Sequence, residues 1–212
     1  MSQLAQLERQ SLCALLDEVG PDQSTLCEGW NTADLAAHLV LREGRLDAMP
    51  GIALRFLSAH TAKVQKSLRS RDFEQLVNQL RNGPPRFSPF RPARLDEAAN
   101  GIEFFIHHED VRRAQPSWQP RIFERDTENL FFRRLRFPAK SALRRKNLDV
   151  DVMRTDTGER LNVHRASAKE AVPGAGVGAP TVTVSGLPSE LLVFFFRQGH
   201  AVVETQGDAA LF

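Results

Sequence analysis

The chain has 212 residues, 42% of them hydrophobic, with 28 basic against 26 acidic side chains and a formal net charge of +2. That length and apolar content can bury a core in one large domain or two small ones. The charge balance argues against a dedicated, strongly basic nucleic-acid binder, and no apolar run reaches the roughly 18 residues of a membrane span.

The first residues alternate polar and apolar as an ordinary helix does, so no secretory signal is expected. Leu4, Leu7, Leu12, Leu15, Leu16 and Val19 recur near helical spacing and predict a helix over 3–19, stopped by Gly20 and Pro21. Residues 25–30 read as a loop. Asn31 or Thr32 can cap the next helix, and Asp34 in its first turn suits the helix dipole. This second helix is expected over 32–47, with Leu35, Leu39 and Leu46 on or near one face and Met49-Pro50-Gly51 at its end. A third is expected over 52–68 and a shorter one over 73–81. Four prolines from Pro84 to Pro92 exclude a helix there. The next helix is expected over 95–114, closed by Pro116. Four principal helices with a long connection before the last make an up-down bundle with one crossover.

The composition then changes. Residues 126–137 read as a helix interrupted by Pro138. Alternation over 148–153, a turn at 156–159 and a second run at 161–163 make a hairpin. The Gly-rich stretch 173–180 reads as a surface loop and 181–185 as a strand. Residues 188–196 read as a short helix with Pro188 in its first turn, and 201–205 as a last strand before Gly207-Asp208. The expected class is α + (α+β): a four-helix bundle with a linker helix over 1–146, then a small α+β domain over 147–212.

The segment with chemistry is Gly101-Ile-Glu-Phe-Phe-Ile-His-His-Glu-Asp-Val-Arg-Arg-Ala114. Glu103 and His107 are four residues apart, which on a helix puts them on one face, about 5–6 Å apart at Cβ. A carboxylate oxygen and an imidazole nitrogen then meet one ion at about 2.0–2.2 Å. Ile102, Phe105 and Ile106 surround the pair, so the face packs inward, where a lone carboxylate is costly. His38, in Leu35-Ala-Ala-His-Leu39, is the candidate third ligand from a facing helix. Two histidines and a carboxylate leave coordination positions open. Asp110 is three residues past His107 and within reach of its other ring nitrogen, so it is expected to orient the imidazole. His108 points about 100° away on the helix and is the weaker ligand candidate. Taken singly, a buried histidine is more often structural, and a Glu–His pair at this spacing is more often solvated.

Thr25-Leu-Cys-Glu-Gly-Trp30 with Asp34-Leu-Ala-Ala-His-Leu-Val40, and Glu103-Phe-Phe-Ile-His107 with Asp110, resemble the two signatures of the mycothiol-dependent maleylpyruvate isomerase family, within the DinB-like metal-binding bundles. The resemblance implies zinc ligation by His38, Glu103 and His107. The version His107-His-Glu-Asp-Val-Arg-Arg-Ala114 looks like a particular subgroup rather than the isomerase itself. Gly186-Leu-Pro-Ser-Glu-Leu-Leu192, Arg197 and Val203-Glu-Thr-Gln-Gly-Asp208 are similar to the family's sterol-carrier-like α+β domain. Arg197 matches its catalytic arginine, although the family shows Gly-Arg where this chain has Phe196-Arg197.

Three functions follow as expectations. The first is a metalloenzyme of isomerase or S-transferase type, with Zn2+ or another divalent ion, mycothiol as the thiol, and Arg197 holding an anionic substrate group. The second is a non-catalytic metal- or small-molecule-binding protein on the same scaffold. The third is a nucleic-acid partner, from the basic run Arg133, Arg134, Arg136, Lys140, Arg144, Arg145 and Lys146. The blander account of that run is a solvated face paired with Glu124, Asp126 and Glu128, so nucleic acid is not expected as the partner. The partners expected are a small thiol and a small substrate, with no membrane. Cys13 and Cys27 form no disulfide framework and read as packing, in keeping with a reducing cytoplasm. Trp30 reads as a core plug. His60, His164 and His200 have no partner at ligand spacing.

Overall fold

The computed structural model describes residues 4–45, 47–48, 58–86, 88, 91–166 and 180–207. The chain is mixed α/β, mostly helical with a small four-stranded sheet, and it divides into two compact units, 1–119 and 120–212.

The first unit holds α1 (Leu4–Val19), α2 (Thr32–Gly44), α3 (Ser58–Arg69), α4 (Phe73–Arg81) and α5 (Ala93–Arg112). In α1, Leu4, Leu12 and Leu16 share a buried stripe with Glu8, and Ala5 and Cys13 share the neighbouring one with Arg9. Gly20, at φ 79°, closes it by donating its N–H to the Leu16 carbonyl at 3.0 Å. A capping box starts α2: the Asn31 side chain accepts from Asp34 N–H at 3.1 Å, and Asp34 accepts from Asn31 N–H at 3.2 Å. Residues 35–41 of α2 are all buried, so it is the central helix of its unit. It packs on α3 and α4, while α1 packs on α4 and α5. Leu12, Leu16, Leu35, Leu39, Leu76, Leu80 and Phe104 fill the core. The two buried charged groups on α1 are paired: Arg9 with Glu43 and with Asp96 (2.9 Å), and Glu8 with His108 of α5 (2.9 Å).

The second unit holds α6 (Arg125–Arg134), α7 (Arg136–Leu143), β1 (Asp149–Arg154), β2 (Arg160–His164), β3 (Thr181–Gly186), α8 (Pro188–Phe196), a 3-10 turn at Gln198–His200, and β4 (Glu204–Gln206). The strand order is β2-β1-β3-β4: β1 runs antiparallel to β2 and parallel to β3, and β3 antiparallel to β4. Val150, Val152, Val182 and Val184 are fully buried at alternate positions, as period-two strands with one covered face require. Helix α8 packs on β3, and α6 and α7 pack on α8. Glu128 of α6 fastens the start of α8, accepting from the Ser189 N–H and hydroxyl, each at 2.9 Å.

Several expectations are corrected. The division falls at 119/120, not 146/147, because the helices expected to link the domains build the core of the second unit. Pro138 does not interrupt a helix: it sits in the first turn of α7, where its missing N–H would have no intrahelical partner. The break lies instead at Leu135, between α6 and α7. Helix α2 ends at Gly44, before Asp47, and the last strand begins at Glu204, beyond the tight turn at Gln198–His200, with the Val202 N–H donated to Glu190. Residues 49–57, which include the expected start of the third helix, and most of the Gly-rich loop lie outside the described residues. No helix among the described residues is long and apolar enough to cross a membrane.

Candidate metal centre

Helices α2 and α5 bring three side chains together. The capping box fixes where α2 starts, and the buried residues around His38 turn its imidazole inward. Helix α5 offers Glu103 and His107 one turn apart. His107 Nε2 lies 3.3 Å from Glu103 Oε1, and His38 Nε2 lies 4.0 Å from the same oxygen. The ligand atoms of all three lie within 4.8 Å of one another. The two imidazoles stand edge to face at 5.5 Å between centroids, and Trp30 packs on the outer side of His38 at 5.0 Å. His38 and His107 are 7% and 8% exposed, whereas the Glu103 side chain is 31% exposed, so the centre opens on its carboxylate side.

The surroundings set the charges. Asp110, fully buried, lies 2.9 Å from His107 Nδ1. Burial alone would lower the affinity of His107 for a proton, but Asp110, Cys27 and Glu103 outweigh it and hold its pKa well above the usual value. Burial likewise would raise Glu103, yet His107, His38 and Arg42 hold its carboxyl well below the usual range. Arg42 Nε is 3.3 Å from that carboxylate. His38 is lowered, chiefly by burial, and therefore favours the neutral imidazole that a metal requires.

The donor set suits a divalent ion. An ion held tetrahedrally at about 2.0–2.2 Å needs its ligand atoms roughly 3.3–3.6 Å apart. The separations of 3.3 and 4.0 Å approach that span, and the site is reached by small side-chain movements. Three protein ligands leave a coordination position for a water or a substrate.

Other candidates lie elsewhere. His108 is paired with Glu8. His60 lies 2.9 Å from Asp47, and His164 Nε2 lies 3.0 Å from the Lys146 carbonyl. Arg197 lies in the second unit, at the end of α8, where it donates to the Phe196 carbonyl at 2.8 Å. His200 is exposed in the 3-10 turn. Arg133, Arg136, Lys140, Arg144, Arg145 and Lys146 are exposed, and Arg134 is half-buried.

Cys27 is the neighbour that sequence spacing misses. Its sulfur lies 3.2 Å from Asp110 Oδ2 and 4.0 Å from His107 Nδ1, across 83 and 80 residues of chain. The loop is held there by the Leu26 N–H, which donates to the Asp110 carbonyl at 3.0 Å, and by Thr25, whose hydroxyl oxygen accepts from Cys27 N–H at 3.2 Å and donates to the Trp30 carbonyl at 3.0 Å.

Comparison of the chain with protein-family models, with curated proteins and with solved structures finds no match.

Proposed function

We propose that the chain is a divalent-metal-dependent enzyme that uses a small thiol, of isomerase or S-transferase type, on a DinB-like bundle followed by a sterol-carrier-like domain. The observation that carries the metal reading is the convergence of His38, Glu103 and His107 from two helices, with ligand atoms within 4.8 Å. Zinc suits two imidazoles and a carboxylate, although such ligands accept several divalent ions. Bound there, the ion supplies a Lewis acid with an open position at which a thiol ionises. The thiol assignment, mycothiol, rests on the motif resemblance of residues 25–40 and 103–114, and the cytoplasmic setting on two cysteines that form no disulfide framework.

The chain's own groups have distinct parts. His38, kept neutral by burial, offers Nε2. Asp110 accepts from Nδ1–H of His107 and thereby leaves Nε2 for the ion. His107 and His38, with Arg42 behind them, keep Glu103 ionised, and Arg42 adds positive charge at the edge of the centre, which favours an anionic substrate group. Trp30 packs against the His38 ring, 5.0 Å between centroids. Arg197 is proposed, by resemblance, to hold a substrate anion during turnover.

A second reading, metal binding without catalysis, is favoured by one observation. Both carboxylates of the centre, Glu103 and Asp110, are engaged with histidines, which leaves neither as a separate acid–base group. Metal analysis of the purified protein beside His38→Ala tests the shared premise, with stoichiometric metal expected in the parent and loss in the variant. Thiol binding and turnover of electrophiles by the zinc-loaded chain then separate the two readings. Zinc bound by His38→Ala with the affinity of the parent rejects the His38, Glu103 and His107 centre on which both readings rest.

A further inference from the structure

Asp110, Cys27 and the second nitrogen of His107 form a cluster of their own on the far side of the imidazole from His38. Their ligand atoms also lie within 4.8 Å of one another. The edges are 2.9 Å for Nδ1 to Asp110, 3.2 Å for sulfur to Asp110 and 4.0 Å for sulfur to Nδ1. A tetrahedral ion with bonds of about 2.0–2.3 Å needs edges of roughly 3.3–3.6 Å, so sub-ångström adjustments suffice. The arrangement is not a nucleophilic triad. In a triad the thiol and the carboxylate address opposite nitrogens of the histidine, whereas here both address Nδ1.

We propose that Cys27, Asp110 and His107 Nδ1 form a second seat, for a thiophilic metal ion, that competes with the first seat for the single imidazole of His107. The competition follows from the ring. A neutral imidazole carries one N–H. With the proton on Nδ1, it donates to Asp110 and Nε2 is the ligand nitrogen, beside His38 and Glu103. With the proton on Nε2, it donates to Glu103 and Nδ1 is the ligand nitrogen, beside Cys27. The two seats therefore correspond to the two tautomers of one side chain. On filling the second seat from the Nδ1–H tautomer, the ion takes the place of the thiol proton, which goes to solvent, while the ring proton moves from Nδ1 to Nε2, so one proton is released in all.

Chemistry distinguishes the occupants. The first seat is two nitrogens and an oxygen. The second has a sulfur in place of one imidazole nitrogen, which favours thiophilic ions such as Cd2+, Hg2+ or Cu+. Cys27 is half-buried, in a loop pinned by Leu26 and Thr25, so its sulfur is both reachable and fixed. Cys13 is fully buried and belongs to the core, so it cannot substitute. The second seat stands on its own geometry; only its exclusivity rests on the proposed metal centre.

The test is a Cd2+ titration of the reduced, chelator-treated full chain, followed by thiolate-to-cadmium charge-transfer absorbance. The band is expected to saturate at one ion per chain in the parent, in Cys13→Ser and in His38→Ala, and to vanish in Cys27→Ser. Asp110→Asn is expected to weaken binding about tenfold or more. Zn2+ loaded beforehand should delay the band in the parent and lose that effect in His38→Ala. A measurement on the unaltered chain guards against misfolded variants: Cd2+ should slow alkylation of Cys27 by iodoacetamide about tenfold or more, by tying up the nucleophilic thiolate. The idea is overturned if the parent shows neither band nor protection, or if the band survives Cys27→Ser. It also fails if Asp110→Asn leaves affinity unchanged, since the thiol then binds alone, or if His38→Ala removes the band, since Cys27 then belongs to the first seat. Zinc binding indifferent to His38→Ala, with the cadmium band intact, would sink the first seat and spare the second.

Discussion

Cys13 and Cys27 differ in burial: the first is enclosed in the core of its unit and the second is half-buried in the loop before α2. Burial in the core pushes the Cys13 thiol up to about 12, so it carries almost no thiolate at neutral pH. Alkylation followed by mass spectrometry is expected to label Cys27 in the native chain and Cys13 only after unfolding. The same burial gives a pH dependence. An unfolded thiol ionises near its ordinary 9.0, while folded Cys13 stays protonated until about 12. Because the folded pKa is the higher one, its contribution is intact below 9.0 and is lost as pH rises from there toward 12. Relative to Cys13→Ala, the parent should lose up to about 1.4 kcal/mol of stability per pH unit in that window, measured by urea unfolding. Equal pH profiles would show that Cys13 ionises without unfolding. At this scale the spacing of Glu103 and His107 was readable, because a helix converts four residues into one face. The Cys27 contact was not readable, because it depends on a loop folding over residues about 80 positions away. The pairing of Glu8, on the stripe of Leu4 and Leu12, with His108 was not readable either, because it joins two helices 100 residues apart.

Among elements, those with explicit end signals were placed best. Gly20-Pro21 stops α1, Asn31 starts α2, and the fourth helix runs over Phe73–Arg81 as its spacing predicts. Pro138 misled because a proline breaks a helix only beyond its first turn, and where α7 begins is set by packing on α8. Two caps can be weighed. Asn31→Ala removes one arm of the capping box that seats α2 and should cost about 1 kcal/mol, read from the urea midpoint. Glu128→Ala leaves the buried Ser189 N–H and hydroxyl without their carboxylate and should cost about 1–3 kcal/mol. An unchanged midpoint in the second variant would mean that water takes over both bonds.

The whole molecule was legible as helices followed by an α+β unit, since the apolar period shifts from helical to alternating along the chain. The boundary was not, because α6 and α7 look helical like the first unit and reveal their allegiance only through α8 and Glu128. His38, Glu103 and His107 all fall within 1–119. A fragment ending at Gln119 is expected to keep the helical circular dichroism of its unit and to bind one divalent ion with the affinity of the full chain. Calorimetry showing a large loss of affinity in a folded fragment would mean that the second unit supports the ligands. If instead the fragment matches its parent, custody of the ion is a local inheritance. Substitutions beyond Gln119, Arg197 among them, are then at liberty to drift, and descendants of one scaffold can exchange one reaction for another, or for none, without surrendering the cation.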